Sequence, residues 1–305
     1  GVDENNVEQV LEDIIKAGAD IVFCVGPQMM PNSLKVAVAH PEVYILNCSL
    51  NAPHPYIRTY YGRMYEAKFL AGMIAGAVTD NERVAYIADY PIYGMIANIN
   101  AFALGVASVN PRAKVYLAWS KTKDYDRDKF LTENDLHYVS DQDIITPNDA
   151  SRYFGLYKIQ GDQTLNLAMP IWNWGVFYEK LLQSVLAGSY KAEGQEQVKA
   201  LNYWWGMSAG VIDLICSKHV PYGVKRLADH LKSDITKGEV VPFFGQIYNQ
   251  KGELKNKGEH EMKPSDIMKM DWLVDNVVGS IPPMSEFIDN AKMVVELKGV
   301  EGNKL

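Results

Sequence analysis

The residue types that most often perform catalysis occur in this sequence, but not at known catalytic spacings. The six histidines form no HxxxH pair and no combination with cysteine at metal-ligand spacing. The phosphate loop GxxxxGK[ST] and a strand followed by GxGxxG are absent. Asp141 and Asp143 could act as an acid–base pair, as carboxylates do in glycosidases, but two solvated or helix-capping carboxylates are the simpler interpretation. We therefore predict no catalytic residue, no metal site and no cofactor.

A second set of side chains is better suited to holding a ligand than to transforming it. Aromatic rings stack on flat heterocycles, carboxylates accept hydrogen bonds from hydroxyl and ring N–H groups, and amides offer both a donor and an acceptor. The candidates of these three kinds are Trp172, Trp174 and Tyr93; Asp89, Asp143 and Asp162; and Gln28 and Asn173.

Several of these candidates also have a purely structural interpretation. Trp172 and Trp174 lie at the end of an extended run, where alternate residues face opposite sides, so one of the two is expected to belong to the core. Tyr93 can pack on the helix that follows it, and Asp89 can cap that helix.

Composition limits the class of protein. The chain has 305 residues, 48% hydrophobic and 22% charged, which is typical of a globular protein with room for two domains. The net charge of −7 and the lack of clustered Lys and Arg argue against a nucleic-acid partner. Three cysteines cannot all pair, and Cys24 and Cys48 lie in apolar runs, so we expect buried thiols rather than a disulfide framework.

Strands and helices that would position the candidates alternate along the chain. Apolar runs typical of buried strands are residues 20–25, 43–48, 83–88 and 114–119, with a polar loop at 49–55 and a helix start at 146–149. This alternation predicts parallel sheets, right-handed crossovers and flanking helices. Two further strands are predicted at 136–139 and 155–159. Ligands bind outside the carboxyl ends of such strands, and Asp89, Asp143 and Asp162 follow the predicted strands 83–88, 136–139 and 155–159.

One predicted helix, in the run that begins after Arg63, carries small residues beside large apolar ones. Gly72 and Gly76 lie one helical turn apart, next to Ala71 and Ala75. Small residues at this spacing predict that the helix packs closely against a sheet.

An ordered set of short motifs connects the chain to a known family. The motifs are Gly62-Arg63, Tyr65-Glu66-Ala67, Leu70-Ala71-Gly72, Ile99-Asn100-Ala101-Phe102, Val109-Asn110-Pro111, Trp172-Asn173-Trp174-Gly175, Trp205-Gly206-Met207 and Met270-Asp271-Trp272-Leu273. Over nearly the whole chain they resemble the basic membrane protein family, the purine-nucleoside-binding relatives of bacterial ABC-transporter receptors. The resemblance implies an α/β, two-lobed, type I periplasmic-binding-protein-like fold, with parallel sheets flanked by helices and a hinge between the lobes. It also implies ligand carboxylates at Asp143 and Asp162.

The same resemblance predicts how the chain divides. We predict lobe 1 as residues 1–81 plus about 170–235, and lobe 2 as residues 82–169 plus part of about 236–305, with crossings near 80–82, near 164–172 and after 200. Compared with the family layout, we expect this chain to lack the first strand and a signal peptide at its amino-terminal end. We expect a second chain or an upstream fragment to cover the sheet edge left open.

The function implied by the resemblance is non-catalytic capture of a purine nucleoside or purine base between the lobes. The chain would serve an ABC uptake system as a lipoprotein on the outer side of the cytoplasmic membrane, with an ABC permease as partner. The alternative is a cytosolic purine-sensing domain of a larger regulatory protein, and a nucleoside hydrolase is the least favoured interpretation. Because the family's amino-terminal stacking aromatic and its asparagine have no counterpart here, free purine, nucleoside or another small heterocycle all stay open.

Overall fold

The computed structural model describes residue 2 and residues 6–50, 56–143, 152–188 and 202–300. The helix start predicted at 146–149 and most of the loop predicted at 49–55 lie outside these residues. The helices are α1 (Val7–Lys16), α2 (Met30–Ala39), α3 (Met64–Val78), α4 (Met95–Val109), α5 (Arg127–Glu133), α6 (Trp174–Leu186), α7 (Tyr222–Lys237), α8 (Pro264–Met268) and α9 (Asp289–Lys298).

The strands follow the same chain order. They are β1 (Ile21–Cys24), β2 (Tyr44–Cys48), β3 (Arg58–Gly62), β4 (Arg83–Ala88), β5 (Lys114–Trp119), β6 (Tyr138–Ser140), β7 (Leu156–Gln160), β8 (Gln163–Trp172), β9 (Asn202–Trp205), β10 (Ile212–Cys216), β11 (Gln246–Tyr248), β12 (Leu254–Lys257) and β13 (Val277–Val278). The chain forms two compact units: unit 1 is Gly1–Gly62 with Trp174–Trp205, and unit 2 is Arg63–Asn173 with Gly206–Leu305.

Unit 1 is built on a parallel sheet in the order β1-β2-β3-β9. Successive side chains of a strand point to opposite faces. Accordingly, Val22 and Cys24 join the core cluster of α1 and α2, whereas Phe23 lies edge-on to the rings of Tyr60 and Tyr178. Among the described residues, β1 is an edge of this sheet, and the prediction that a further segment covers it stays a prediction.

Unit 2 is built on a mixed sheet in the order β10-β8-β7-β6-β4-β5-β13. Strands β6, β4, β5 and β13 are parallel, whereas β7, β8 and β10 join the sheet antiparallel to their neighbours. The predicted α/β fold with helix-flanked parallel sheets is confirmed, and the antiparallel extension is an addition that the sequence reasoning did not specify.

Helix α3 makes its closest approach to α4 rather than to the sheet. A Cβ atom built on Gly72 would lie 2.0 Å from the carbonyl oxygen of Phe102, and one on Gly105 would lie 2.0 Å from that of Phe69. The small residues therefore predict a close contact correctly; the closest approach is to α4, and α3 also packs against β8 and β10 of the sheet.

The division of the chain also places α3 differently from the predicted lobes. The predicted first lobe ran to residue 81 and included α3, whereas α3 belongs to unit 2, which begins at Arg63. The chain passes from one unit to the other at two further points, between Asn173 and Trp174 and between Trp205 and Gly206. The assignment of these units to ligand-binding lobes stays a prediction. Within the described part of the chain, no helix is long and apolar enough to span a bilayer.

Candidate functional site

The carboxyl ends of β4, β5 and β6 bring several polar groups of unit 2 to one sheet edge. Ala88, the last residue of β4, pairs with Trp119, the last of β5, and Ser140, the last of β6, pairs with Tyr86. The residues that follow these strand ends include Asp89, Ser120, Asp141 and Asp143. The Ser120 hydroxyl donates a short hydrogen bond to the Asp89 carboxylate.

A buried lysine reaches this edge from α3. The Lys68 side chain is 2% exposed, and its ammonium lies 2.6 Å from Asp143 Oδ1, whose side chain is 13% exposed. Nζ also donates to Ser140 Oγ at 3.2 Å and to the Asp141 carbonyl oxygen at 3.4 Å. It lies 5.1 Å from the ring centroid of Tyr86. Burial raises the pKa of Asp143 above its ordinary value, while the Lys68 charge and hydrogen bond act in the opposite direction.

A second network fixes Asp141. The Tyr157 hydroxyl donates to Asp141 Oδ2 at 2.9 Å, and Arg127 Nη2 on α5 donates to the Tyr157 oxygen at 3.0 Å. The guanidinium carbon lies 3.7 Å from the ring centroid of Tyr153. Burial raises the pKa of Asp141, and the hydrogen bond from Tyr157 partly offsets this effect.

We call the groups that meet here the carboxyl-edge cluster: Lys68, Asp89, Ser120, Tyr125, Arg127, Ser140, Asp141, Asp143 and Tyr157. Burial raises the pKa of Tyr125, and the charge of Asp141 raises it further, while Arg127 acts in the opposite direction. Three carboxylates accompany two cations, which leaves one formal negative charge and several hydroxyl groups. Such a cluster accepts hydrogen bonds readily and disfavours anions. No group of three or more potential metal ligands lies together among the described residues.

The predicted carboxylates do not all lie at this edge. Asp89 and Asp143 do, but Asp162 lies in the exposed β7–β8 turn. Because β7 runs antiparallel to β6, this turn lies at the edge where β6 begins. A polar cavity of about 500 Å³ between α5 and this hairpin contains Asp162, Asp135 and His137 in its wall. The structure thus separates Asp162 from the other two, and its ligand role stays a prediction.

The predicted run of aromatic and amide residues, Trp172 to Trp174, lies where the chain continues from unit 2 into unit 1. Trp172 ends β8 in unit 2, and Trp174 begins α6 in unit 1. Both are half-buried, and Trp174 stacks on Tyr178 at a centroid distance of 6.1 Å and an angle of 26°. The Asn173 side chain donates to the Gly210 carbonyl oxygen at 2.9 Å, so its donor already stabilises unit 2.

The remaining two candidates lie in different units. Tyr93 is half-buried in the connection from β4 to α4 of unit 2. Gln28 is exposed in the short turn after β1 of unit 1, near the carboxyl ends of β1 and β2. In that region Asn47 donates to the Gly26 carbonyl oxygen at 3.0 Å and accepts a hydrogen bond from Ser49 at 2.8 Å.

Sequence reasoning missed the residues that hold the carboxyl-edge cluster together. Arg127 and Tyr157 are brought together by tertiary packing, and local sequence contains no sign of their contact. Lys68 could have been noticed in the sequence, because it is a lysine in a largely apolar helical run. The residues of that run from Met64 through Gly76 are buried. A charged residue in such a run calls for a buried partner.

Comparison with known proteins gives a consistent family relationship. Residues 2–163 match the Bmp family, described as PnrA-like ABC transporter substrate-binding proteins. A purine-binding protein of Brucella abortus strain 2308 is 26% identical over 292 residues, covering 91% of this chain and 81% of that protein. A candidate ABC-transporter glucose-binding protein of Haloferax volcanii is 28% identical over 217 residues, 67% of this chain and 54% of that protein.

Solved structures with little sequence identity share the fold. A transcriptional activator of the comK gene from Bacillus halodurans aligns with a TM-score of 0.60 at 13% identity, covering 79% of this chain and 87% of that one. A solute-binding protein of an ABC transporter system from Conexibacter woesei aligns with a TM-score of 0.55 at 16% identity, covering 78% and 84%. At these identities the likeness concerns the fold alone.

Proposed function

The chain belongs to the Bmp family of PnrA-like ABC transporter substrate-binding proteins, and we propose that it captures an uncharged purine, as free base or nucleoside, for an ABC-type uptake system. The protein binds this ligand without transforming it. Its partner is the permease that receives the ligand, and a purine-binding relative over 91% of the chain supports the choice of purine.

The observation that carries this proposal is the acceptor-rich carboxyl-edge cluster at the end of the parallel strands of unit 2. Ligands of open α/β sheets bind at this edge. Asp89 and Asp143 offer carboxylate oxygens there, and ring N–H groups and ribose hydroxyls are donors that match them. The net negative charge disfavours a phosphorylated ligand, so nucleosides and bases are expected to bind and nucleotides to be rejected.

The other candidate residues complete the proposal. Trp172, Trp174 and Tyr93 are our candidates for stacking on the purine, and Gln28 and Asn173 for additional hydrogen bonds. Base stacking on an aromatic side chain contributes roughly 1–3 kcal/mol. Asp162 is the candidate that geometry separates from Asp89 and Asp143, and its substitution tests whether the ligand extends to the β7–β8 hairpin.

Thermal unfolding with a ligand panel tests the proposal. The panel contains adenine, hypoxanthine, adenosine, guanosine, uridine, adenosine monophosphate and glucose, the last because one relative is named for glucose binding. A ligand present at 100 times its dissociation constant stabilises the folded protein by about 2.7 kcal/mol. We expect a raised midpoint with purine bases or nucleosides and none with the monophosphate.

Two variants locate the site once a ligand is found. Asp89→Asn should weaken binding in a calorimetric titration, because a carboxylate acceptor becomes an amide. Asp162→Asn is the matched change at the opposite sheet edge, and a loss there would move the ligand toward the hairpin. A folded protein that responds only to glucose, or to nothing in the panel, would rule out purine capture.

A further inference from the structure

Lys68 is a cation with almost no access to water. Its side chain is 2% exposed on a helix whose residues from Met64 to Gly76 are all buried. Taking an ammonium out of water is costly, and well-packed apolar residues of similar size often stabilise a protein as well or better. A role in stability alone therefore does not account for a lysine here.

The hydrogen bonds of Lys68 indicate how it acts. An ammonium has three donors, and those of Lys68 reach Asp143 Oδ1, Ser140 Oγ and the Asp141 carbonyl oxygen. All three acceptors belong to the segment that ends β6 and follows it. Lys68 therefore has no donor left for a ligand and acts through the residues that it holds.

Among these three residues, Asp143 has a carboxylate oxygen that can accept a further hydrogen bond. Its Oδ1 lies 2.6 Å from the ammonium, while no described residue donates to Oδ2. Its side chain retains 13% exposure, in contrast to the 2% of Lys68. A short contact with a fixed cation favours the ionised carboxylate in one orientation, which leaves an acceptor oxygen for a donor that arrives from outside.

We propose that Lys68 is the positioning residue of the ligand site: it fixes Asp143 as an ionised acceptor, so that the protein selects ligands presenting an N–H or O–H donor. This inference rests on the proposed function, because it concerns the same sheet edge. The ligand class that follows is a purine with a ring N–H or a free ribose hydroxyl at this position.

The groups facing Asp143 set its ionisation. They are Lys68 from α3 and, beneath its ammonium, Tyr86 of β4; the ammonium also donates to the backbone carbonyl oxygen of Asp141. Asp141 is in turn held by Tyr157 of β7 and Arg127 of α5. Burial is already the largest influence on the pKa of Asp143, and the Lys68 charge and hydrogen bond oppose it. Removing Lys68 takes this opposition away, so the carboxyl group takes up a proton at a higher pH.

Ligand affinity as a function of pH tests the inference. In Lys68→Met we expect binding of the best purine ligand to be roughly ten- to hundredfold weaker at pH 6 than at pH 8, because Asp143 takes up a proton at a higher pH than in the wild type. Affinity should recover as pH rises and Asp143 ionises, whereas wild-type affinity should change little between pH 6 and 8. Lys158→Met is the matched control, because Lys158 lies 4.8 Å from the Tyr138 ring centroid and 3.7 Å from Asp80 at the opposite sheet edge.

Two further measurements keep the test decisive. The ¹³C resonance of the Asp143 carboxyl group in the ligand-free wild type should report an ionised carboxylate at pH 7. If Lys68→Met does not fold, the double variant Lys68→Met/Asp143→Asn removes both charges together, and it should fold and bind weakly without pH dependence.

The outcomes separate the two proposals. A neutral Asp143 in the wild type, or Lys68→Met with wild-type affinity at every pH, would overturn the positioning role. If the wild type binds no purine, the proposed function fails, but comparing the Asp143 carboxyl resonance in the wild type and in Lys68→Met across pH still decides whether Lys68 controls its ionisation.

Discussion

Replacing Gly105 by alanine tests the contact that holds α3, and therefore Lys68, in place. A Cβ atom on Gly105 would lie 2.0 Å from the Phe69 carbonyl oxygen and 2.9 Å from the Met73 nitrogen. Ordinary contact begins at 3.4 Å, so the two helices would have to separate by about 1.4 Å. Both obstructing atoms belong to the backbone of α3, so no side-chain rotation relieves the clash.

The expected cost follows from this geometry. Overpacking a core by one methyl group typically destabilises by 1–3 kcal/mol, and a rigid backbone clash belongs at the upper end. We expect Gly105→Ala to lower the free energy of unfolding in urea by about 3 kcal/mol. Because Lys68 lies on α3, the same variant should also weaken ligand binding.

The control for this prediction is Gly223→Ala in α7 of the same unit. A Cβ atom there has nothing within 4 Å, so stability should stay the same or rise by up to about 1 kcal/mol. The double variant Gly72→Ala/Gly105→Ala should cost less than the sum of the single changes, because the first change already separates the helices. A Gly105→Ala protein with less than about 1 kcal/mol of loss would refute the reasoning.

Three other predictions follow from buried groups. Tyr157→Phe should lower the free energy of unfolding by roughly 1–3 kcal/mol, because the hydroxyl that connects Asp141 and Arg127 is lost, and urea titration of both proteins measures it. Burial raises the pKa of Glu66 above its ordinary value of 4.5, so its deprotonation disfavours the folded state. The free energy of unfolding of the wild type, relative to that of Glu66→Gln, should therefore fall as pH rises from 4.5. Parallel plots of unfolding free energy against pH for the two proteins would contradict this. Burial raises the pKa of the Cys24 and Cys216 thiols, so both should react more slowly with iodoacetamide at pH 7 than the same thiols in urea.

The local hydrophobic pattern of the sequence was sufficient to predict many of the strands and helices. The apolar runs at 83–88 and 114–119 became β4 and β5 with their predicted bounds, because a short apolar run has few ways to satisfy its backbone other than a buried strand. The small residues of α3 predicted a close helix contact for a similarly local reason, since only small side chains admit another backbone. The pattern did not identify α4 as the partner.

Strand direction accounts for the main difference at the candidate site. Asp143 and Asp162 look equivalent in sequence, because each follows a predicted strand. The antiparallel return of β7 places Asp162 at the opposite edge from Asp143, and local hydrophobicity contains no information on strand direction.

The sequence by itself determined the family, the α/β class and the presence of carboxylates after strand ends, because these depend on residue type, spacing and order. Tertiary structure alone decided which carboxylates share a sheet edge and which cations accompany them. Lys68 and Asp143 are 75 positions apart, as Arg127 and Tyr157 are 30, and both pairs exist through packing of separate elements. The charge balance of the carboxyl-edge cluster, and with it the kind of ligand that we propose for it, is a property of that packing.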